Sequence, residues 1–275
     1  MMLTPVTAVP YFEETGNGDT TVLMLHGIGG GRQAFAHQMA PFAAAGLHAV
    51  AWDMPGYGHS SLVDPYTFET LAVQCLELID VLDPARLVLV GHSLGGMIVQ
   101  EVVARAPEAV LARIAGLVLA GTSAAFGRAD GEWQQRFVAD RTAPLDAGRS
   151  MKELATQLVA QMVGPDASDA VRAEAAAVMA GVPPQSYRLA LQALMGFDRR
   201  RLLPSLEMPV LLIAGSDDRN APPAVMKGMA ERIPLANYVC LERCGHLMPF
   251  EQPQAFDDAV IAFVRSLAPA APVMR

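Results

Sequence analysis

Short apolar runs recur along this chain, and each ends in glycine, proline or a small polar residue. Val22-Leu23-Met24-Leu25, Ala49-Val50-Ala51-Trp52, Leu87-Val88-Leu89-Val90, Leu117-Val118-Leu119-Ala120 and Val210-Leu211-Leu212-Ile213-Ala214 show no polar alternation. Such runs are the signature of strands covered on both faces. A further strand is expected over 237–241. Residues 9–13 read as a strand broken by Pro10 and followed by the turn Gly16-Asn17-Gly18, which predicts an edge strand or a hairpin. Between the runs stand segments of helical period. Residues 33–45 put Phe35, Met39 and Phe42 on one face and stop at Gly46; 67–82 align Leu71, Cys75, Leu78, Ile79 and Leu82. Helices are also expected over 96–103, 223–233 and 253–267. Strand alternating with helix predicts an α/β protein: a mostly parallel sheet with helices on both faces, its binding crevice beyond the carboxyl ends of the strands.

The rhythm changes between 125 and 206, where no buried strand can be read. Three or four helices are expected, at 131–140, 149–163, 168–180 and 184–196, with breaks at Gly164-Pro165 and Gly181-Val182-Pro183-Pro184. The expected organisation is therefore a core of residues 1–124 and 207–275 with a helical cap, 125–206, inserted between two strands. Trp133, Phe137, Met151, Met162, Met179 and Leu194 would give the cap an apolar, adaptable inner face, suited to small and largely apolar acyl groups.

Composition narrows the partners. The 275 residues are 52% hydrophobic and 17% charged, with a formal net charge of −8. Nucleic acids and anionic membranes are bound by clustered cations, so neither is expected as a partner. No run approaches the ~20 apolar residues of a membrane span. The segment Met1-Met2-Leu3-Thr4-Pro5 has no lysine or arginine before Arg32 and no leader-length apolar stretch, and three cysteines are an odd number for a disulfide framework. A cytoplasmic location is expected. Cys240, Cys244 and His246 lack a fourth ligand for zinc, and no cofactor is expected: the glycine loop after Leu25 matches neither G-x-x-x-x-G-K-[ST] nor a dinucleotide fingerprint.

Four of the predicted strands run into loops that carry chemistry. His26-Gly27-Ile28-Gly29-Gly30-Gly31 can aim backbone N–H groups at an anion. Gly91-His92-Ser93-Leu94-Gly95 stands between a strand and a helix, where glycines let a sharply turned serine rise above the sheet. Gly215-Ser216-Asp217-Asp218 and Gly245-His246 follow later strands. A serine hydroxyl is a weak nucleophile near neutral pH, so acyl transfer needs a histidine to take its proton and a carboxylate to orient that histidine. His246 is the one histidine placed for this role, since His26 and His92 flank other groups, His37 and His48 lie near helix ends and His59 is in a loop. Asp217 and Asp218 could each reach it. Ser123 lacks the flanking glycines and reads as a loop hydroxyl.

His26-Gly27-Ile28-Gly29, Asp53-x-x-Gly56-x-Gly58-x-Ser60, Gly91-His92-Ser93-Leu94-Gly95-Gly96, Gly215-x-x-Asp218-x-x-x-Pro222 and Gly245-His246, in the order serine, aspartate, histidine, resemble the motifs of the α/β-hydrolase superfamily. Within it the chain looks most like the group of 3-oxoadipate enol-lactonase and carboxylesterases, through Phe197-Asp198 and Asp218-Arg219-Asn220-Ala221-Pro222. The resemblance implies Ser93 as nucleophile, Asp218 as the acid, His246 as base, and the N–H groups of Ile28 and Leu94 as the oxyanion hole. It implies an ester or lactone substrate, with a carboxylate held by an arginine such as Arg128, Arg136 or Arg188. A carbon-carbon bond hydrolase of the meta-cleavage type is the alternative enzyme, although Leu247-Met248-Pro249-Phe250 stands where that group has a tryptophan. A non-catalytic small-molecule receptor on the same fold is the other alternative. Ser93 at the elbow excludes dehalogenases and epoxide hydrolases, which need an aspartate there.

Overall fold

The computed structural model describes residues 9–127 and 131–267. Seven strands, β1 (Phe12–Thr15), β2 (Thr20–Leu25), β3 (His48–Trp52), β4 (Arg86–His92), β5 (Ile114–Ala120), β6 (Val210–Gly215) and β7 (Ala236–Leu241), form one sheet in the order β1-β3-β2-β4-β5-β6-β7. Every pairing is parallel except that of β1 with β3. The first strand is thus an edge strand but makes no hairpin with β2; it crosses to the far side of β3, where Phe12 faces Trp52. The central runs are sealed on both faces: Val22 to Leu25, Leu87 to Val90 and Leu117 to Ala120 have no exposed surface.

The helices bracket this sheet in the order α1 (Ala36–Ala44), α2 (Phe68–Leu82), α3 (Leu94–Arg105), α4 (Glu108–Leu111), α5 (Glu132–Asp146), α6 (Met151–Met162), α7 (Asp169–Ala180), α8 (Pro184–Leu194), α9 (Pro223–Ala230), α10 (Met248–Glu251) and α11 (Pro253–Ser266). The expected stripe on α2 is buried at Leu71, Cys75, Leu78 and Ile79, and its start is set by a reciprocal Thr67–Thr70 capping box. Two short helices, α4 and α10, escaped the periodicity reading because four residues show no period. Helix α5 runs past the expected stop at 140 and carries Pro144 inside it. Among the described residues no helix is long and apolar enough to cross a membrane.

Helices α5 to α8 lie between β5 and β6, and the segment that holds them leaves and returns through one neck. Phe126 N–H donates to the Phe197 carbonyl, Arg199 N–H to that of Ala124, and Ala125 bridges Asp198. Phe197 then packs against Phe68 of α2, the rings tilted by 44° with centroids 4.6 Å apart, and Arg199 ion-pairs with the buried Glu101 of α3 at 2.5 Å. The strand order reverses at β2, whose neighbours are β3 on one side and β4 on the other. A crevice opens beyond the carboxyl ends of adjacent strands at such a point, here between the glycine loop after β2 and the turn after β4.

Candidate active site

Ser93 sits between β4 and α3 with φ 55° and ψ −120°, a left-handed backbone that a side chain seldom adopts. Close packing holds it there. A Cβ on Gly95 would lie 2.0 Å from the Leu25 carbonyl oxygen, and one on Gly91 2.5 Å from that of Gly95. Only glycine lets the helix start so near β2. The Ser93 N–H donates to the Ala120 carbonyl and its own carbonyl accepts from Thr122 Oγ1, so both sides of the peptide are fixed.

The loops after β6 and β7 bring the other two groups to the serine. His246 Nε2 is 3.0 Å from Ser93 Oγ, and its Nδ1 is 2.8 Å from Asp218 Oδ2. The second carboxylate oxygen, Oδ1, accepts the N–H groups of Asn220 at 2.7 Å and Ala221 at 3.0 Å. Asp218 is buried, which opposes its charge, but the neighbouring His246 ring and these hydrogen bonds prevail and hold its pKa below the usual carboxylate range. Asp217 is exposed and accepts a hydrogen bond from Ser216 Oγ. Of the adjacent pair, then, Asp218 is brought to the histidine and Asp217 is not.

The remaining histidines have other partners. Met54 N–H donates to His26 Nε2 and His26 Nδ1–H donates to the Gly27 carbonyl, tying the glycine loop to the loop after β3; burial pushes this imidazole down to about 4. His92 Nε2–H donates to the carbonyl of His246 at 2.7 Å, and burial, with His246 close by, lowers it to about 3. Both stay neutral donors. His37 pairs with Glu174 on α7, and His48 opens β3 beside Glu14. His59 donates its N–H to Asp53, the buried carboxylate that also receives Arg32, and so helps close the loop after β3. Ser123 Oγ donates to the Ala125 carbonyl, a loop hydroxyl as expected.

Above Ser93 lies a cavity of about 470 Å³, mostly apolar, whose floor includes Ile28, Ser93, Leu94 and His246. The Ile28 carbonyl is gripped by Tyr57 Oη at 3.0 Å, which orients the glycine loop, and the Leu94 N–H heads α3, where helix geometry leaves it without an intrahelical acceptor. The walls come from the inserted helices: Phe137, Leu158, Val159, Met162, Met179 and Leu194 all line the cavity, with Trp133 at its mouth, 58% exposed. Met151, named with these in the sequence reading, is buried elsewhere in the core.

None of the three arginines singled out in the sequence lines the described part of this cavity. Arg128 lies outside the described residues. Arg136 is on the surface paired with Glu132, and Arg188 pairs with Asp146. Arg141, five residues along α5 from Arg136, does line it. Its guanidinium lies 3.4 Å over the Phe137 ring and reaches Asn220 Oδ1 at 3.4 Å, with no carboxylate in ion-pair range among the described residues. Burial lowers its pKa. Near it Tyr187, whose hydroxyl burial raises to about 12, also lines the cavity, and that hydroxyl makes no hydrogen bond among the described residues. Nothing in the periodicity of α5 or α8 marks these two side chains.

A sharp strand-to-helix turn bearing serine, with aspartate and histidine following later in the chain, is the arrangement of the α/β-hydrolase fold. The chain belongs to the alpha/beta hydrolase family, whose model matches residues 22–259. It is 30% identical to a pimeloyl-acyl-carrier-protein methyl ester esterase of Chromobacterium violaceum, over 94% of this chain and 96% of that one. Among solved structures it resembles the enol-lactonase of Burkholderia xenovorans LB400, with a TM-score of 0.80 and 27% identity over 93% of this chain and 96% of that chain. A thermophilic esterase of Thermogutta terrifontis, solved with malate bound, gives a TM-score of 0.81 at 25% identity, covering 93% and 92% of the two chains. The family and these likenesses support a hydrolase.

Proposed function

We propose that this protein is a serine hydrolase that cleaves a carboxylic ester or lactone of a small substrate through an acyl-enzyme. The observation that carries the reading is the unbroken chain of hydrogen bonds from Ser93 Oγ through His246 to Asp218 at the floor of an apolar cavity. Ser93 Oγ attacks the carbonyl carbon while His246 Nε2 takes the hydroxyl proton, and Asp218 stabilises the imidazolium. The oxyanion faces the N–H groups of Ile28 and Leu94, each such donor being worth roughly 3–4 kcal/mol. Collapse expels the alkoxide, which leaves with the proton from Nε2. Water then attacks the acyl-enzyme by the same route and the carboxylate departs. Residues 125–206 serve as the lid that keeps this chemistry dry. The neck they pass through and the cavity walls they supply support that role.

A finer reading concerns the substrate. Arg141 and Tyr187 place a cation and a hydroxyl in the cavity wall, near Asn220 and Arg219, and neither is paired with a carboxylate among the described residues. A substrate carboxylate would complete both, since guanidinium binds carboxylate through paired hydrogen bonds. The likeness to an enol-lactonase supports a lactone as the bond that is cut. The test of the main reading is a stopped-flow assay with p-nitrophenyl acetate: wild-type protein should give a burst of p-nitrophenol, and Ser93→Ala should lose the burst and several orders of magnitude in turnover while keeping its circular dichroism. Near-normal turnover in that variant would refute a Ser93 nucleophile. A wild-type protein that binds the ester without any burst or turnover would indicate a receptor.

A further inference from the structure

Three successive backbone N–H groups around His246 are all taken, and by partners outside the triad. Gly245 N–H donates to Glu251 Oε2 at 2.9 Å and Leu247 N–H to Glu251 Oε1 at 2.8 Å. Between them, His246 N–H donates to the Met162 carbonyl, at the end of α6, at 2.7 Å. The same Glu251 Oε2 also receives the Gly164 N–H at 2.6 Å, so one carboxylate spans the base loop and the inserted helices. The contact is backbone against backbone. A Cβ on Gly245 would meet the Met162 oxygen at 2.3 Å, and one on Gly164 the Arg243 oxygen at 2.6 Å. On its other side the His246 carbonyl is held by His92, the residue before the nucleophile. Glu251 does not line the cavity, but Leu158, Val159 and Met162 of α6 do.

We propose that Glu251 is a positioning residue that locks the His246 loop to the end of α6, so that the inserted helices and the base hold one position together. The inference rests on His246 acting as base towards Ser93. With both backbone groups of His246 anchored, one to the insertion and one to the elbow, the ring cannot be placed independently of α6. A side chain that fills the cavity against Val159 and Met162 therefore presses on the element that sets Nε2 against Ser93 Oγ. Misplacement by about 1 Å is enough to cost a reaction roughly 100-fold.

A glutamine at 251 cannot accept from both sides. With its carbonyl towards Gly164 and Gly245, its NH2 group meets the Leu247 N–H; turned round, it meets the other two. The test compares Glu251→Gln, Gly164→Ala and the double variant, the alanine being aimed at the same seam from the α6 side. Three quantities are read: kcat and KM for p-nitrophenyl acetate, and the rate at which diethyl p-nitrophenyl phosphate labels Ser93. Each single variant should lose 10- to 100-fold in kcat and in labelling with KM within about twofold, and the double should lose no more than the worse single, because both break one connection. A low-field imidazole proton seen by NMR between His246 and Asp218 should broaden in the same variants. Unchanged kcat and labelling in folded Glu251→Gln would overturn the proposal, as would losses that multiply in the double variant. If that variant does not fold, unchanged values in Gly164→Ala overturn it equally. A wild-type protein that the phosphate does not label would instead remove the serine-hydrolase reading and this inference with it.

Discussion

Replacing Asp218 with asparagine tests the site most sharply, because the structure dictates how the amide must sit. Asp218 Oδ1 accepts two backbone N–H groups, from Asn220 and Ala221, while Oδ2 faces His246 Nδ1. An asparagine in this place satisfies two donors only by turning its carbonyl to them, which leaves its NH2 group against Nδ1. The histidine must then accept at Nδ1 and carry its proton on Nε2, where it points at Ser93 Oγ and cannot act as a base. That tautomer error costs about 10⁴ in kcat, or about 5.5 kcal/mol in transition-state stabilisation. Asp217→Asn leaves every one of these bonds intact, since Asp217 is exposed and bonded to Ser216, and should change kcat less than threefold. Steady-state hydrolysis of p-nitrophenyl acetate by both variants, with circular dichroism to confirm folding, decides the matter. A kcat for Asp218→Asn within tenfold of wild type, or equal losses in the two variants, would refute the argument.

Three other outcomes follow from named contacts. Arg141→Met should raise KM for a carboxylated short-chain ester at least tenfold, about 1.4 kcal/mol, and leave that of its neutral methyl-ester analogue within threefold; a parallel change in both would remove Arg141 from substrate recognition. His92 and His26, at about 3 and 4, are already neutral above pH 5, so neither should add a step to the pH profile of kcat/KM between pH 5 and 8. A two-step limb there would contradict this. Burial raises Asp257 to about 6, with the neighbouring Gln38 amide and His37 opposing the rise and Asp258 adding to it. The folded state then binds the proton more tightly than the unfolded chain. Its contribution is fully favourable below the ordinary aspartate pKa and is lost as pH rises through about 6. Asp257→Asn should therefore raise the melting temperature at pH 8 and have little effect near pH 4, and a gain equal at both would contradict the burial argument.

Much of this protein is legible in one dimension because its signals are local. A strand sealed on both faces must be apolar at every position, so β2, β4, β5 and β6 announce themselves, and a sharply turned serine needs glycines at fixed offsets. The order of serine, aspartate and histidine follows from where loops leave successive parallel strands. Other features depend on neighbours far away in sequence. The pairing of β1 with β3 instead of β2 is a choice between two edges, which the composition of four residues does not encode. Arg136 and Arg141 lie on one helix five positions apart, about 140° around it at ~100° per residue, so only the packing of α5 decides that Arg141 enters the cavity while Arg136 meets solvent. Asp217 and Asp218 are chemically identical neighbours, separated by which of them receives the N–H groups of Asn220 and Ala221. Glu251 carries no sign of its role along the chain, for its three donors come from residues 164, 245 and 247 and meet only once the sheet has placed the base loop against the end of α6. The chain itself set the strands, the elbow and the candidate reaction; the packing of the inserted helices on the sheet chose which charged and polar side chains serve it, because that choice is made by contacts between segments and not by the pattern within any one of them.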